Sequence, residues 1–158
     1  EMLIAARCMS AATELLKPHM VGEGGESATV GSAVIGTVRG DMHDIGKNLV
    51  KIMMEGSGIE VYDLGTDVSA EQFVETAVEH DCGIIACSSL LTTTMNEMRR
   101  VVSLAQEKGI RKKVRILIGG APISQSFCDE IGADVYTEDA GAAARAAVEI
   151  LKTCQNGK

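Results

Sequence analysis

Thr29–Gly46 reads TVGSAVIGTVRGDMHDIG. An apolar, β-branched run from Thr29 to Val38 has strand composition. It passes into a glycine-bounded turn that carries Asp41 and His43, and from Gly46 to Gly56 helix formers take over. The spacing turns Leu49, Val50, Ile52 and Met53 of that helix inward. Strand, polar turn and helix in succession make the first half of a βα unit.

The same alternation continues outward from it. Ile59 to Leu64 is a second strand. Ser69-Ala70-Glu71-Gln72 is a capping box opening a helix to about His80. Gly83 to Cys87 is a short, wholly apolar strand, and Thr94 to Lys108 is a helix stopped by Gly109. Val114 to Ile118, Ser124 to Ile131, Asp134 to Tyr136 and Ala140 to Cys154 read as strand, helix, strand and helix. Five βα units predict an α/β fold, a doubly wound, flavodoxin-like (Rossmann-like) five-stranded parallel sheet. Strands buried on both faces are continuous apolar runs, as Gly83–Cys87 and Ile116–Ile118 are. The common order for such sheets is 2-1-3-4-5, and ligands sit past the carboxyl ends where the order reverses.

Before this domain, Glu1 to Lys17 has helical spacing of Leu3, Ala6, Met9, Ala12, Leu15 and Leu16, and Pro18 ends it. Residues 21–28 (VGEGGESA) form a Gly- and Glu-rich linker. The organisation expected is therefore a helix over 1–20, a linker over 21–28 and one α/β domain over 29–158. A lone amphipathic helix has little to pack on, so the first is docked on the domain or left from a larger helical unit.

The chain has 158 residues, 46% hydrophobic and 23% charged, an ordinary globular balance for one domain. Net charge is −7 and there is no Trp, which argues against a nucleic-acid partner. No apolar run approaches the roughly 18 residues of a membrane span, and no signal peptide is visible. The five cysteines include no C-x-x-C pair, so zinc and iron–sulfur sites are not expected. Reduced, mostly buried thiols and a cytoplasmic location are the plain reading.

Three marks follow strands 1, 3 and 4: Asp41-Met42-His43-Asp44-Ile45-Gly46, Ser88-Ser89-Leu90 and Gly119-Gly120. Those strands are neighbours in the expected order, so the marks converge on one crevice. His43 offers a ring nitrogen to a metal. A carboxylate such as Asp41 beside the other nitrogen fixes the tautomer and raises ligand basicity. A single histidine cannot hold a bare metal, so the metal would arrive inside a macrocycle that supplies the equatorial nitrogens. That reasoning leaves haem and corrinoid both open. The few aromatics speak against a haem pocket, and the small residues Ser88, Gly119 and Gly120 suit a phosphate-bearing tail.

With their spacings of 41 and 28 residues, the marks resemble the D-x-H-x-x-G, S-x-L and G-G signature of the cobalamin-binding domain. Asp41–Asn48 (DMHDIGKN) and Ser88–Met98 (SSLLTTTMNEM) are similar to its methyl-transferring branch: methionine synthase and the small corrinoid proteins of methanol, methylamine and methoxyl-aromatic metabolism. The resemblance implies that His43 is the lower axial cobalt ligand, in a histidine-on, base-off state. It implies that Asp41 is its hydrogen-bond partner and that Thr94, where the branch has a hydroxyl residue, completes the relay. Ser88 and Leu90 would line the nucleotide-tail channel, with Gly119 and Gly120 at its walls. Met42, Asp44, Ile45, Gly46, Thr92, Ala121 and Tyr136 complete the cofactor-contacting set. The helix at the amino end would be the remnant of a cap over the upper corrin face, in a chain truncated or processed there.

The function implied is a corrinoid protein carrying a methyl group on cobalt. Its partners would be a substrate:corrinoid methyltransferase, a methylcorrinoid:acceptor methyltransferase acting on tetrahydrofolate or a thiol, and a reductive activation protein. It would be catalytic only together with them. The rivals are a cobalamin sensor or storage module, a mutase cobalamin subunit, and a receiver-like domain. A receiver would need a phosphorylatable Asp where Cys87 and Ser88 stand.

Overall fold

In the computed structural model, which describes residues 29–156, alternate residues of each strand face two separate hydrophobic layers. The strands are β1 (Gly31–Thr37), β2 (Ile59–Asp63), β3 (Ile84–Ser88), β4 (Arg115–Gly119) and β5 (Val135–Tyr136). They form one parallel sheet in the order β2-β1-β3-β4-β5, the predicted order. The helices are α1 (Ile45–Gly56), α2 (Ala70–Glu79), α3 (Asn96–Glu107), α4 (Gln125–Ile131) and α5 (Ala140–Asn156). Register is set strand by strand, with Thr37 beside Ser88 and Ser88 beside Gly119. The carboxyl ends of β1, β3 and β4 thus stand level.

Val34, Ile85, Ile116 and Ile118 meet α2, α3 and α4 through Phe73, Val74, Met98, Val101, Phe127 and Cys128. Ala33, Ile35, Ile84, Ala86 and Leu117 meet α1 and α5 through Met54, Ala143, Ala144, Ala147 and Leu151. The two-residue period of a strand feeds both layers, which is why the strands read as unbroken apolar runs. Gly36 makes room in the first layer, since a Cβ there would stand 2.8 Å from Phe73 Cζ. The second layer is thinner, because five of its members are alanines.

Local signals mark three helix ends, and those at Ser69 and Gly109 are the expected ones. Ser69 Oγ accepts from Gln72 N–H while Gln72 Oε1 accepts from Ser69 N–H, closing the capping box. Gly109 after α3 and Gly132 after α4 take left-handed φ of 70° and 73°. Two expectations change. In α1 the fully buried side chains are Lys47 and Met54, while Leu49, Val50, Ile52 and Met53 are half-buried. The helix lies over the thin layer beside α5 and keeps Leu49 and Val50 on a cavity. The helix expected from Thr94 begins at Asn96, because the Thr94 hydroxyl is drawn to Asp41 and to the Leu91 carbonyl. The helix at residues 1–17, the linker at 21–28 and Cys8 lie outside the described residues. Cys82, Cys87 and Cys128 are buried free thiols and Cys154 is exposed.

Candidate functional site

The Val38–Asp41 turn delivers Asp41 from β1. Asp41 N–H donates to the Val38 carbonyl at 3.1 Å, and Gly40 takes φ +81°, matching the third position of a type II turn. Asp41 is then fully buried among donors. Its Oδ1 accepts from the His43 backbone N–H at 3.0 Å and lies 2.7 Å from His43 Nδ1. Its Oδ2 accepts from Leu90 N–H at 2.7 Å, Leu91 N–H at 3.2 Å and the Thr94 hydroxyl at 3.1 Å. Burial alone would raise the Asp41 carboxyl. The bonds from the His43 and Leu90 amides, the His43 ring and Thr94 outweigh it and hold the group well below the ordinary carboxylate range.

A carboxylate accepts only, so the Asp41–His43 contact places the proton on Nδ1. In the neutral ring Nε2 is then the lone-pair nitrogen, on a side chain 52% exposed. The backbone of His43 is fixed from the other side, because the buried Thr37 hydroxyl donates to its carbonyl at 2.8 Å. Around this imidazole stand exposed apolar side chains: Met42, Ile45, Leu90 and Leu91. Among the described residues no cluster of His, Cys, Asp or Glu could hold a bare metal ion.

From Gly46 at the start of α1, the thin layer opens into a cavity of about 470 Å³ between the sheet, α1 and α5. Ile35, Ala86 and Leu117 form its floor, with Leu49, Val50 and Met54 on one wall and Ala140 and Ala143 on the other. Its mouth is rimmed by Gly46, Ser88, Gly119, Gly120, Ala121 and the 136–139 segment. A Cβ on Gly119 would stand 3.2 Å from the Thr137 carbonyl, at the rim. Gly120 has a different reason to be glycine. Its φ is +136°, and a Cβ would fall 1.8 Å from the Ser89 carbonyl oxygen.

The sequence-predicted residues therefore divide into groups. Asp41, His43 and Thr94 are joined by hydrogen bonds. Gly46, Ser88, Gly119, Gly120, Ala121 and Tyr136 line the cavity. Met42, Asp44, Ile45 and Thr92 are exposed, Asp44 accepting from the Asn48 side chain. Leu90 does not line the cavity: its backbone N–H holds Asp41, and its side chain faces outward, 45% exposed. Sequence reasoning missed Ser89. Its buried hydroxyl lies 2.8 Å from Thr94 Oγ1 and 3.5 Å from Asp41 Oδ2. The strand period was the available signal, since Ala86 and Ser88 face the cavity and Ser89 must turn the other way.

Lys47 was missed as well. It is 2% exposed on the cavity wall, and its ammonium donates to Asp63 Oδ1 at 2.6 Å and Asn48 Oδ1 at 2.7 Å. Burial tends to raise the Asp63 carboxyl, but the bond from Lys47, the Gly65 N–H and Lys51 together bring it below its ordinary value.

Known proteins match this chain over almost its whole length. The dimethylamine corrinoid protein 1 of Methanosarcina acetivorans is 46% identical over 149 residues, covering 94% of this chain and 70% of the relative. The monomethylamine corrinoid protein of Methanosarcina barkeri superposes with a TM-score of 0.73 at 36% identity, covering 94% of this chain and 69% of that one. A chain of the methanol:cobalamin methyltransferase complex of the same organism gives 0.79 at 32% identity, over 94% of this chain and 56% of that one. No helix among the described residues is long and apolar enough to cross a membrane. Since the model of the B12 binding domain matches residues 31–149, from the first strand to the last helix, this chain belongs to the B12-binding domain family.

Proposed function

We propose that this chain is a corrinoid protein that carries a methyl group on cobalt between two methyltransferases. One would take the methyl from a donor to the corrinoid, and the other would pass it to tetrahydrofolate or a thiol. The relatives' names favour a methylated amine as the donor class. A reductive activation protein would be the third partner.

The observation that carries the proposal is the pairing of an outward histidine, its Nδ1 on Asp41, with an apolar cavity that begins at Gly46. The residues present fit a corrinoid with a nucleotide tail. His43 has Nε2 free for one axial position, because Asp41 holds the proton on Nδ1. Met42, Ile45, Leu90 and Leu91 offer apolar surface for a macrocycle face. The cavity lies within the range that suits a bound small-molecule group, roughly 300–1,000 Å³. Once bound, the corrinoid would supply the cobalt centre on which the methyl group rides. The protein's part is then coordination and access. Asp41 sets the donor strength of the imidazole, Thr94 and Ser89 tune Asp41 from behind, and the cavity residues hold the tail away from the metal.

The test begins with the protein reconstituted with hydroxocobalamin and reduced to the Co(II) form. Electron paramagnetic resonance should show coupling to one protein nitrogen, and His43→Ala should abolish it. Methyl transfer is then followed with a methylamine:corrinoid methyltransferase. Failure of the wild-type protein to retain corrinoid would sink the proposal.

A further inference from the structure

The turn that presents Asp41 is held by a carboxylate from outside every motif discussed so far. Asp67 lies in the loop after β2. Its Oδ1 accepts from Gly40 N–H at 2.7 Å, and its own N–H donates to the Asp41 carbonyl at 3.0 Å. These two bonds bracket the Gly40–Asp41 peptide. The neighbouring residues continue the attachment: Val68 N–H donates to the Thr37 carbonyl, Thr37 N–H to the Gly65 carbonyl, and Val68 bridges Val38.

Asp67 makes these bonds in a left-handed backbone conformation, φ +56°, which a side chain adopts reluctantly. It is exposed, so its burial does not explain its place. Gly40 on the other side is also left-handed, at +81°. A strained Asp67 and a turn glycine thus meet at one short hydrogen bond, and what that bond fixes is the residue that orients His43.

We infer that Asp67 is a positioning residue for the axial ligand: by holding Gly40 it sets the Asp41 carboxylate, and through it the His43 imidazole. This rests on the reading of His43 as the cobalt ligand. Three substitutions separate the hydrogen bond from the backbone strain. Asp67→Asn keeps an acceptor oxygen and tolerates the left-handed region. Asp67→Gly removes the strain and the acceptor together. Asp67→Ala removes the acceptor and keeps the strain.

Two readouts are needed. In the full-chain apoprotein, amide exchange of Gly40 and the ring-nitrogen chemical shifts of His43 are followed by nuclear magnetic resonance. In the protein loaded with cobalamin and reduced to Co(II), the fraction showing a histidine-nitrogen coupling is measured. Asp67→Gly and Asp67→Ala should both speed Gly40 exchange and shift the His43 ring signals. Both should lower the ratio of histidine-coordinated to uncoordinated cobalt about fivefold, the equilibrium worth of one hydrogen bond. Asp67→Asn should restore both readouts. The inference is overturned if Gly40 exchange rises while the His43 ring signals stay unchanged, since Asp67 then serves the turn alone. It is equally overturned if Asp67→Gly behaves as wild type. If the wild-type protein shows no histidine coordination, the cobalt-ligand reading fails by itself, while the apoprotein signals still decide whether Asp67 orients His43.

Discussion

Asp41→Asn is a near-isosteric change that the structure makes far from conservative. Every group around the Asp41 carboxylate is a donor. An asparagine must aim its NH2 group at one set of them. Aimed at the Oδ2 side, it meets the Leu90 and Leu91 amides, neither of which can reverse. Aimed at the Oδ1 side, it meets the fixed His43 amide and the His43 ring nitrogen, and the ring can reverse. The second placement leaves one fixed N–H unpaired rather than two, so it wins. His43 then accepts at Nδ1 and carries its proton on Nε2, the nitrogen proposed to reach cobalt. Returning to the ligating tautomer breaks the new hydrogen bond and leaves Nδ1–H unpaired against the asparagine NH2, together about 1.5–3 kcal/mol. The ratio of histidine-on to histidine-off cobalt should fall about 10- to 100-fold. The unpaired amide and the lost charge-assisted bonds should destabilise the apoprotein by about 2–3 kcal/mol, or about 5–10 °C in Tm. Corrinoid should still be retained through the cavity. The assays are paramagnetic resonance of the Co(II) protein and calorimetry of the apoprotein. Full histidine-nitrogen coupling together with a Tm within about 1 °C of wild type would refute this account of the site.

Three further outcomes follow from the same geometry. The Asp41 carboxyl is depressed in the folded state, so its stabilisation is fully present above the ordinary value of 3.8 and is lost as pH falls through the lower folded value. In thermal melts from about pH 4.5 down to about 2.5, the gap between wild type and Asp41→Asn should narrow; a gap that widens over that range would contradict this sign. Gly119→Val puts a branched side chain at the cavity rim, where even a Cβ meets the Thr137 carbonyl at 3.2 Å. Corrinoid carried through gel filtration should drop severalfold while the apoprotein keeps its circular dichroism, and stoichiometric retention would move the tail elsewhere. Gly120→Ala should act on folding instead, because its Cβ would collide with the Ser89 backbone. Overpacking and strain together should cost about 3 kcal/mol, visible as a Tm loss of about 6–12 °C without added corrinoid.

The fold was legible in the chain because both strand faces and most helix ends are specified locally. Continuous apolar runs such as Ile84–Cys87 can only sit in a sheet covered on both sides, and five βα units leave few other topologies. Ser69, Gly109 and Gly132 mark helix ends with chemistry that acts within a few residues. The convergence of the loops after β1, β3 and β4 followed from strand order alone. The pairing of Asp41 with His43 was legible too, since two residues of separation in a turn bring a carboxylate to an imidazole.

Other features exist only in three dimensions. The donors on Asp41 Oδ2 come from residues 48 to 53 positions away, so no local pattern announces that the carboxylate is saturated and held charged. Past the end of β3 the chain turns toward Asp41, so Ser89 joined that set through its hydroxyl and Leu90 through its backbone N–H. Nothing in the sequence around Lys47 marks Asp63 of β2, which its ammonium meets at 2.6 Å. The cavity is a difference of volumes between the alanine-rich α5, the sheet and α1, and a volume left unfilled has no residue of its own to betray it. The sequence by itself determined which groups could bind. Only the tertiary structure decided how the Asp41 carboxylate that faces His43 is held, because that depends on hydrogen bonds closed across loops distant in the chain.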